Sequence, residues 1–442
     1  MNVNEMKALV LREIECAHEE ILDFGSQLFS HPQTGFRETW GSDFVANQLA
    51  KLGFCIERGL AVTGVRACAN PHSSGPRIAF MGELDSVINR AHPCADPESG
   101  ACHACGHNVQ TTVMLGVALA LQRSGVLAIL DGGIDFIAVP AEEVLELDFR
   151  DRLIAEGKIE YYSGKQEFVR LGLFDNVDMA MMLHSFDLDA AGFKTAARNT
   201  GTGFIAKKIH FIGKEAHAAA SPWEGINALS MANLALQGIN SQRDTFRDED
   251  HVRIHSIITK GGDIVNSVPA DVHIELFVRA ANIPAVKAAS VKVDRAVKGA
   301  AIMMGGHAEI VDMPGYMPVY ADATMADIYA DNAKRFYSDD EILPLAESSG
   351  SFDIGDLSMF MPILHPLVSG VTGGLHSREF AIVNNDDAYI KPIKIMACTV
   401  IDLLANNAQE AHKVLAAFRP EMTREKYLAY LAGTKRIVKY SS

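Results

Sequence analysis

The chain has 442 residues, 48% hydrophobic and 21% charged, with a formal net charge of −15. That length predicts two domains, and an acidic balance argues against a nucleic-acid partner, whose phosphates would repel it. The opening MNVNEMKALVLREIECAHEE is charged throughout and has no apolar leader core, and no run reaches the roughly 18 apolar residues that span a bilayer. Seven cysteines, odd in number and scattered, fit a reducing compartment, so a cytoplasmic protein with no membrane association is expected. Cys16, Cys55, Cys68 and Cys398 lie in apolar segments and read as plain buried thiols.

In chain order, RIAFMGEL (77–84) reads as a buried strand. The cluster HACGHN (103–108) then opens a helix over 110–125, and GIDFIAVP (133–140) and VDMAMMLH (177–184) read as further buried strands. Strands alternating with helices predict an α/β domain with a mainly parallel sheet. From 203 to 316 the order is strand, helix, strand, strand, helix, strand, the β-α-β-β-α-β pattern of ferredoxin-like domains. This predicts a second domain, 203–316, inserted into a first formed by 1–202 and 317–442. A helix is expected over 324–337. The basic tail EMTREKYLAYLAGTKRIVKYSS reads as helical with a solvated face.

Ligands of parallel α/β sheets bind at the carboxyl ends of the strands. Here the strands stop at metal-type residues: Glu83 and Asp85 after the first, Glu142 and Glu143 after the second, His184 at the third. A late run, PLVSGVTGGLH, stops at His376 after the Gly373-Gly374 turn. HACGHN admits three readings. A structural zinc needs a second Cys or His pair at finger spacing, and none follows. Thiol redox chemistry fits the Cys102-x-x-Cys105 spacing but leaves the Glu pair and His376 without a role. A catalytic metal site accounts for all of them.

HACGHN, VPAEE, HPQTGFRET (31–39), GKEAHAAASPWEGINAL (213–229), GGDIVNSVPADVHIELFVR (261–279), GSFDIGDLS (350–358) and GGLHSREF (373–380) together resemble the aminoacylase-type metallopeptidases and amidohydrolases. That family includes p-aminobenzoyl-glutamate hydrolase, hippurate and indoleacetyl-amino-acid hydrolases, and 5-nitroanthranilate aminohydrolase. The resemblance implies one or two divalent ions per chain, zinc or manganese. Cys105 would bridge them, with Glu143 and His376 on one ion and His107 and His184 on the other. It implies Glu142 as general base and His217 as a catalytic donor reaching the partner subunit's site. Asn266, Arg279 and Gly374 would hold a carboxylate-bearing small molecule, and the 203–316 domain would serve as lid and homodimer contact. Asp85 is expected to orient a ligand.

The reaction implied is hydrolysis of an amide C–N bond in an N-acyl-amino acid, p-aminobenzoyl-glutamate or dipeptide. The alternative is hydrolytic deamination of an activated aromatic amine acid such as 5-nitroanthranilate. Two departures stand out. Asn108 replaces the Asp common in relatives. The segment 144–172 is long, charged and aromatic where relatives carry glycines, and is expected to shape the pocket wall. His92 could touch substrate, and His103 reads as structural.

Overall fold

Strands that are apolar from end to end need cover on both faces, and Arg77–Glu83 and Gly133–Val139 are buried at every residue. The computed structural model describes residues 1–441. It divides into two compact units: Met1–Thr200, Tyr320–Ser348 and Asp356–Met422 form the first, and Gly201–Val319, Ser349–Gly355 and the chain from Thr423 onward form the second.

The first unit holds a six-stranded sheet in the order Cys55–Leu60, Gly64–Ala69, Gly133–Val139, Arg77–Glu83, Met179–Met181, Ile363–Leu364. The last four run parallel, and Gly64–Ala69 is antiparallel to both of its neighbours. Helices Val3–Cys16, His18–Ser30, His107–Arg123 and Lys391–Leu404 pack a continuous apolar core against this sheet, including Val10, Leu28, Val113, Phe136 and Ile393. Two helices, Leu147–Ala155 and Gly164–Arg170, fill the long charged segment. The predicted third strand is cut to Met179–Met181, and His184–Ser185 pairs instead in a separate four-stranded sheet.

The second unit is built in the order strand Gly203–Ile212, helix Ala228–Asn240, strands Arg253–Lys260 and Asp271–Ala280, helix Ile283–Met304, strand His307–Pro314. Alternation along Asp271–Ala280 buries Val272, Ile274, Leu276 and Val278 in the core shared with the two helices. Asp271, His273 and Arg279 fall on the opposite face.

The tail corrects the expectation of a solvated helix in the first domain. Arg424–Thr434 is helical, but Arg436–Ser441 is a strand paired antiparallel with His307–Pro314, adding a fifth strand to the second unit's sheet. Arg436 bonds Asp312 at 2.6 Å and also Asp294. Buried Lys207 bonds both carboxylates at 2.7 Å. The tail's charges thus close an ionic network, and its period-2 alternation is hidden in what reads as a charge run.

A second correction concerns the cysteines. All seven are free, but Cys16 and Cys55 are exposed and Cys68 is half-buried; Cys398 is buried as expected. Cys55 lies on the edge strand of the sheet, whose residues are mostly solvated. Among the described residues, no helix is long and apolar enough to cross a membrane.

Candidate metal centre

The helix His107–Arg123 starts three residues before the predicted position, so that HACGHN forms its N-terminus. Gly106 caps it at φ +84°, and a Cβ there would meet the Ser185 hydroxyl at 1.9 Å. The position therefore requires glycine on both conformational and steric grounds. This turn aims Cys105 and His107 at the carboxyl ends of the parallel strands, where the helix's positive end also favours a thiolate.

Three overlapping groups result, one of them Glu83, His107 and Glu142. Cys105, His107 and His184 each offer a ligand atom within 4.8 Å of the others, and so do Cys105, Glu143 and His376. The Cys105 Sγ lies 3.6 Å from His184 Nε2 and 3.3 Å from His376 Nε2. His376, in a turn at φ +63°, stands 2.9 Å from Glu143 Oε1. Glu83 and Glu142 flank His107, with an Oε2 of each 3.2 and 3.7 Å from its Nε2.

Second contacts fix the ring orientations. His107 Nδ1 donates to the Asp85 carbonyl at 2.9 Å and lies 3.1 Å from its carboxylate, whose other oxygen accepts from the Glu143 amide at 2.8 Å. His184 Nδ1 donates to the Ser185 carbonyl at 2.8 Å. Both Nε2 atoms are thereby turned toward the cluster.

Burial works against charge on Cys105, as does Glu143, yet the three imidazoles lower its thiol to about 6. Burial opposes an imidazolium at His107, but the Cys105 thiolate and Glu83 raise it well above its usual range. Glu143 raises His376 to about 11. Glu143 itself is held near 2, against its burial, chiefly by His376. Thiolate and carboxylates thus converge on positive charge. The buried His107 Nε2 and Glu83 Oε2 face each other without a hydrogen-bond partner. A thiol, three imidazoles and carboxylates in this arrangement fit divalent cations.

Cys102 behaves differently: burial pushes its thiol up, which removes the reactive thiolate that the redox reading needs. His92 has both ring nitrogens engaged by backbone, at Phe380 O (2.9 Å) and Cys94 N (3.1 Å), and is structural. Burial, with His107 nearby, lowers His103 to about 3. Asn108 donates to the Tyr389 hydroxyl at 3.2 Å. Gly374 lies exposed in the turn that carries His376.

His217, Asn266 and Arg279 belong to the second unit. His217 and Asn266 are exposed neighbours, joined by the Ala218 amide bonding the Asn266 carbonyl at 3.0 Å. The His217 Nδ1 accepts from the amides of Ala219 (3.2 Å) and Ala220 (3.0 Å). That leaves Nε2 as the ring's donor. Arg279 lies over the rings of Phe204 and Phe277.

Three further residues escape sequence reasoning. Buried Arg150, from the long charged segment, donates to the carbonyls of Leu145 (2.8 Å), Ala141 (3.4 Å), Glu143 and Tyr162. It pins the loop that carries both glutamates. Lys165, also fully buried, bonds Glu83 Oε1 at 2.5 Å. Against burial, Lys165 and then His107 hold that carboxyl near 2. Breaking such a pair strands a buried charge. Lys165→Met is expected to destabilise the chain by about 3–5 kcal/mol, and adding Glu83→Gln to recover most of that loss. Denaturant midpoints of the single and double variants check both.

The third is Glu38, fully buried, whose carboxylate accepts from the Ala141 amide at 2.7 Å and the Thr63 hydroxyl at 2.6 Å. It holds Ala141 at φ +54°, a strained conformation one residue before Glu142. Burial, then Asp85, raises its pKa from 4.5 to about 7. Between those values the folded chain binds more protons than the unfolded one, so this group's contribution weakens as pH rises and stays lowered above 7. Glu38→Gln keeps an acceptor for the Ala141 amide, turns its NH2 to donate to the Thr63 hydroxyl, and removes the charge. It is expected to melt above wild type at pH 8, with the gap closing toward pH 4.5; thermal unfolding at pH 5 and 8 measures it.

Thiol, imidazole and carboxylate groups that could hold a metal, gathered at the carboxyl ends of parallel strands, are the arrangement expected of a metal-dependent hydrolase. Comparison with known proteins agrees. Residues 79–402 match peptidase family M20/M25/M40, and the chain belongs to this family; it is a hydrolase acting on carbon–nitrogen bonds. The Xaa-Arg dipeptidase of Mus musculus is 28% identical over 352 residues, 76% of this chain and 73% of that protein. The Xaa-Arg dipeptidase of Homo sapiens is 26% identical over 435 residues, 91% of this chain and 90% of that protein. A dinuclear metal-binding M20 peptidase from Bacillus subtilis shares the fold, with a TM-score of 0.63 at 20% identity over 88% of this chain and 99% of that one.

Proposed function

We propose that the chain hydrolyses the amide bond of a small carboxylate-bearing substrate, such as an N-acyl-amino acid, p-aminobenzoyl-glutamate or a dipeptide. The observation that carries this reading is that Cys105 is common to two three-residue ligand groups. Cys105 would bridge two ions, with His107 and His184 completing one and Glu143 and His376 the other. Zinc suits the thiolate and imidazoles, and manganese is the second candidate. Such ions lower the pKa of bound water toward neutrality and polarise the scissile carbonyl.

The remaining steps belong to side chains. Glu142, buried beside His107, takes the proton of the attacking water and passes it to the leaving nitrogen. The second unit serves as a ferredoxin-like lid and homodimer contact, a role supported by its strand–helix order. His217 of the partner subunit, its Nε2–H already oriented, donates to the developing oxyanion. Asn266 and Arg279 take the substrate carboxylate, the guanidinium by its planar fork, and Gly374 lets substrate approach the turn that carries His376. Free cysteines accord with a cytoplasmic setting.

A turnover screen tests this reading. It would hold N-acyl-amino acids, p-aminobenzoyl-glutamate, dipeptides and aminobenzoates with an electron-withdrawing group. Amide cleavage is expected; ammonia release from an aromatic amine without amide cleavage would overturn it.

A further inference from the structure

The open face of the second unit's sheet carries a group that the hydrolytic site does not use. His210 and His273 stand directly opposite each other on antiparallel strands, their rings stacked at 4.3 Å. Both Nε2 atoms point at one oxygen, Asp271 Oδ1, at 2.7 and 2.8 Å. The other oxygen of Asp271 is held by Lys260 at 2.6 Å, and this ammonium, ahead of the two histidines, keeps the carboxyl well below its usual range. On the opposite face, Ile209, Phe211, Val272 and Ile274 are locked in the core, so the backbone presenting the three side chains is rigid.

We propose that His210, Asp271 and His273 form a second metal site, separate from the Cys105 cluster, that takes a borderline divalent ion such as zinc. Two imidazoles and a carboxylate are a zinc-type donor set, poorly matched to magnesium or calcium. The three ligand atoms lie within 4.8 Å of one another. Ligands of a tetrahedral zinc at 2.0–2.1 Å stand about 3.3 Å apart. The two Nε2–Oδ1 spacings fall about half an ångström short of that, and rings about 40% exposed have room to open and to turn out of their stack. Their exposure leaves a fourth position for water. Lys260 orients the carboxylate without occupying Oδ1. Its own second contact is Asp263 at 3.4 Å, while Glu309, opposite His210, is paired to Lys439 at 2.8 Å. No further ammonium is therefore bonded to Oδ1 among these neighbours.

The test is elemental analysis of the full-length protein after equilibration with micromolar zinc chloride and removal of unbound ion, with turnover measured alongside. Wild type is expected to hold one zinc per chain more than His273→Ala or His210→Gln, with turnover in both variants within about twofold of wild type. Zinc counts in both variants equal to wild type would overturn the site. His107→Ala, which probes the catalytic cluster, is expected to keep the extra zinc, so either reading can fail while the other stands.

Discussion

Glu142→Gln is expected to leave the chain folded and its ions bound while turnover falls about 10²–10⁴-fold, the usual contribution of general acid–base catalysis. Glutamine keeps the volume of the buried side chain and supplies no base. The Glu142 carboxylate lies 3.7 Å from His107 Nε2, close to the cluster, while His376 and His184 are the imidazoles in contact with Cys105. Glu142 belongs to the group it forms with Glu83 and His107, and neither group built on Cys105 needs it. The expected signature is a fall in kcat at unchanged metal content. Turnover within tenfold of wild type would remove Glu142 as the base.

Chelation is expected to abolish turnover and to lower the melting temperature by several degrees, with both restored by adding zinc or manganese. An ion bound only by the folded chain stabilises it by about 4 kcal/mol at a thousandfold excess over its dissociation constant. Here Cys105 stands with Glu143, and Glu83 with Glu142, each pair offering ligand atoms within 4.8 Å; Glu143 works against the Cys105 thiolate, and imidazolium protons or cations relieve that repulsion. Full activity after exhaustive chelation, shown by elemental analysis to be complete, would contradict the metal-dependent reading.

The ligand types are legible because each strand ends in a residue whose chemistry differs from the apolar run before it, as Val139 gives way to Glu142 and Glu143. The supporting residues are not. Arg150 and Lys165 lie in the charged segment expected to shape the pocket wall, and only the fold shows that both are buried, Arg150 bonding the Glu143 carbonyl and Lys165 the Glu83 carboxylate. Glu38 sits in HPQTGFRET, more than 100 residues from the Ala141 amide it holds, a pairing no local pattern encodes. The tail's strand is hidden for a related reason: its partner His307–Pro314 lies over 120 residues earlier, and pairing across that distance depends on tertiary context.

The most direct test of the central claim is the metal content of Cys105→Ala set against wild type, with amide hydrolysis assayed on both. A thiolate shared by two ions predicts that the variant holds two fewer divalent ions per chain and has no measurable turnover. Equal metal content in the two proteins, or hydrolysis that survives the substitution, would contradict a catalytic centre built on Cys105.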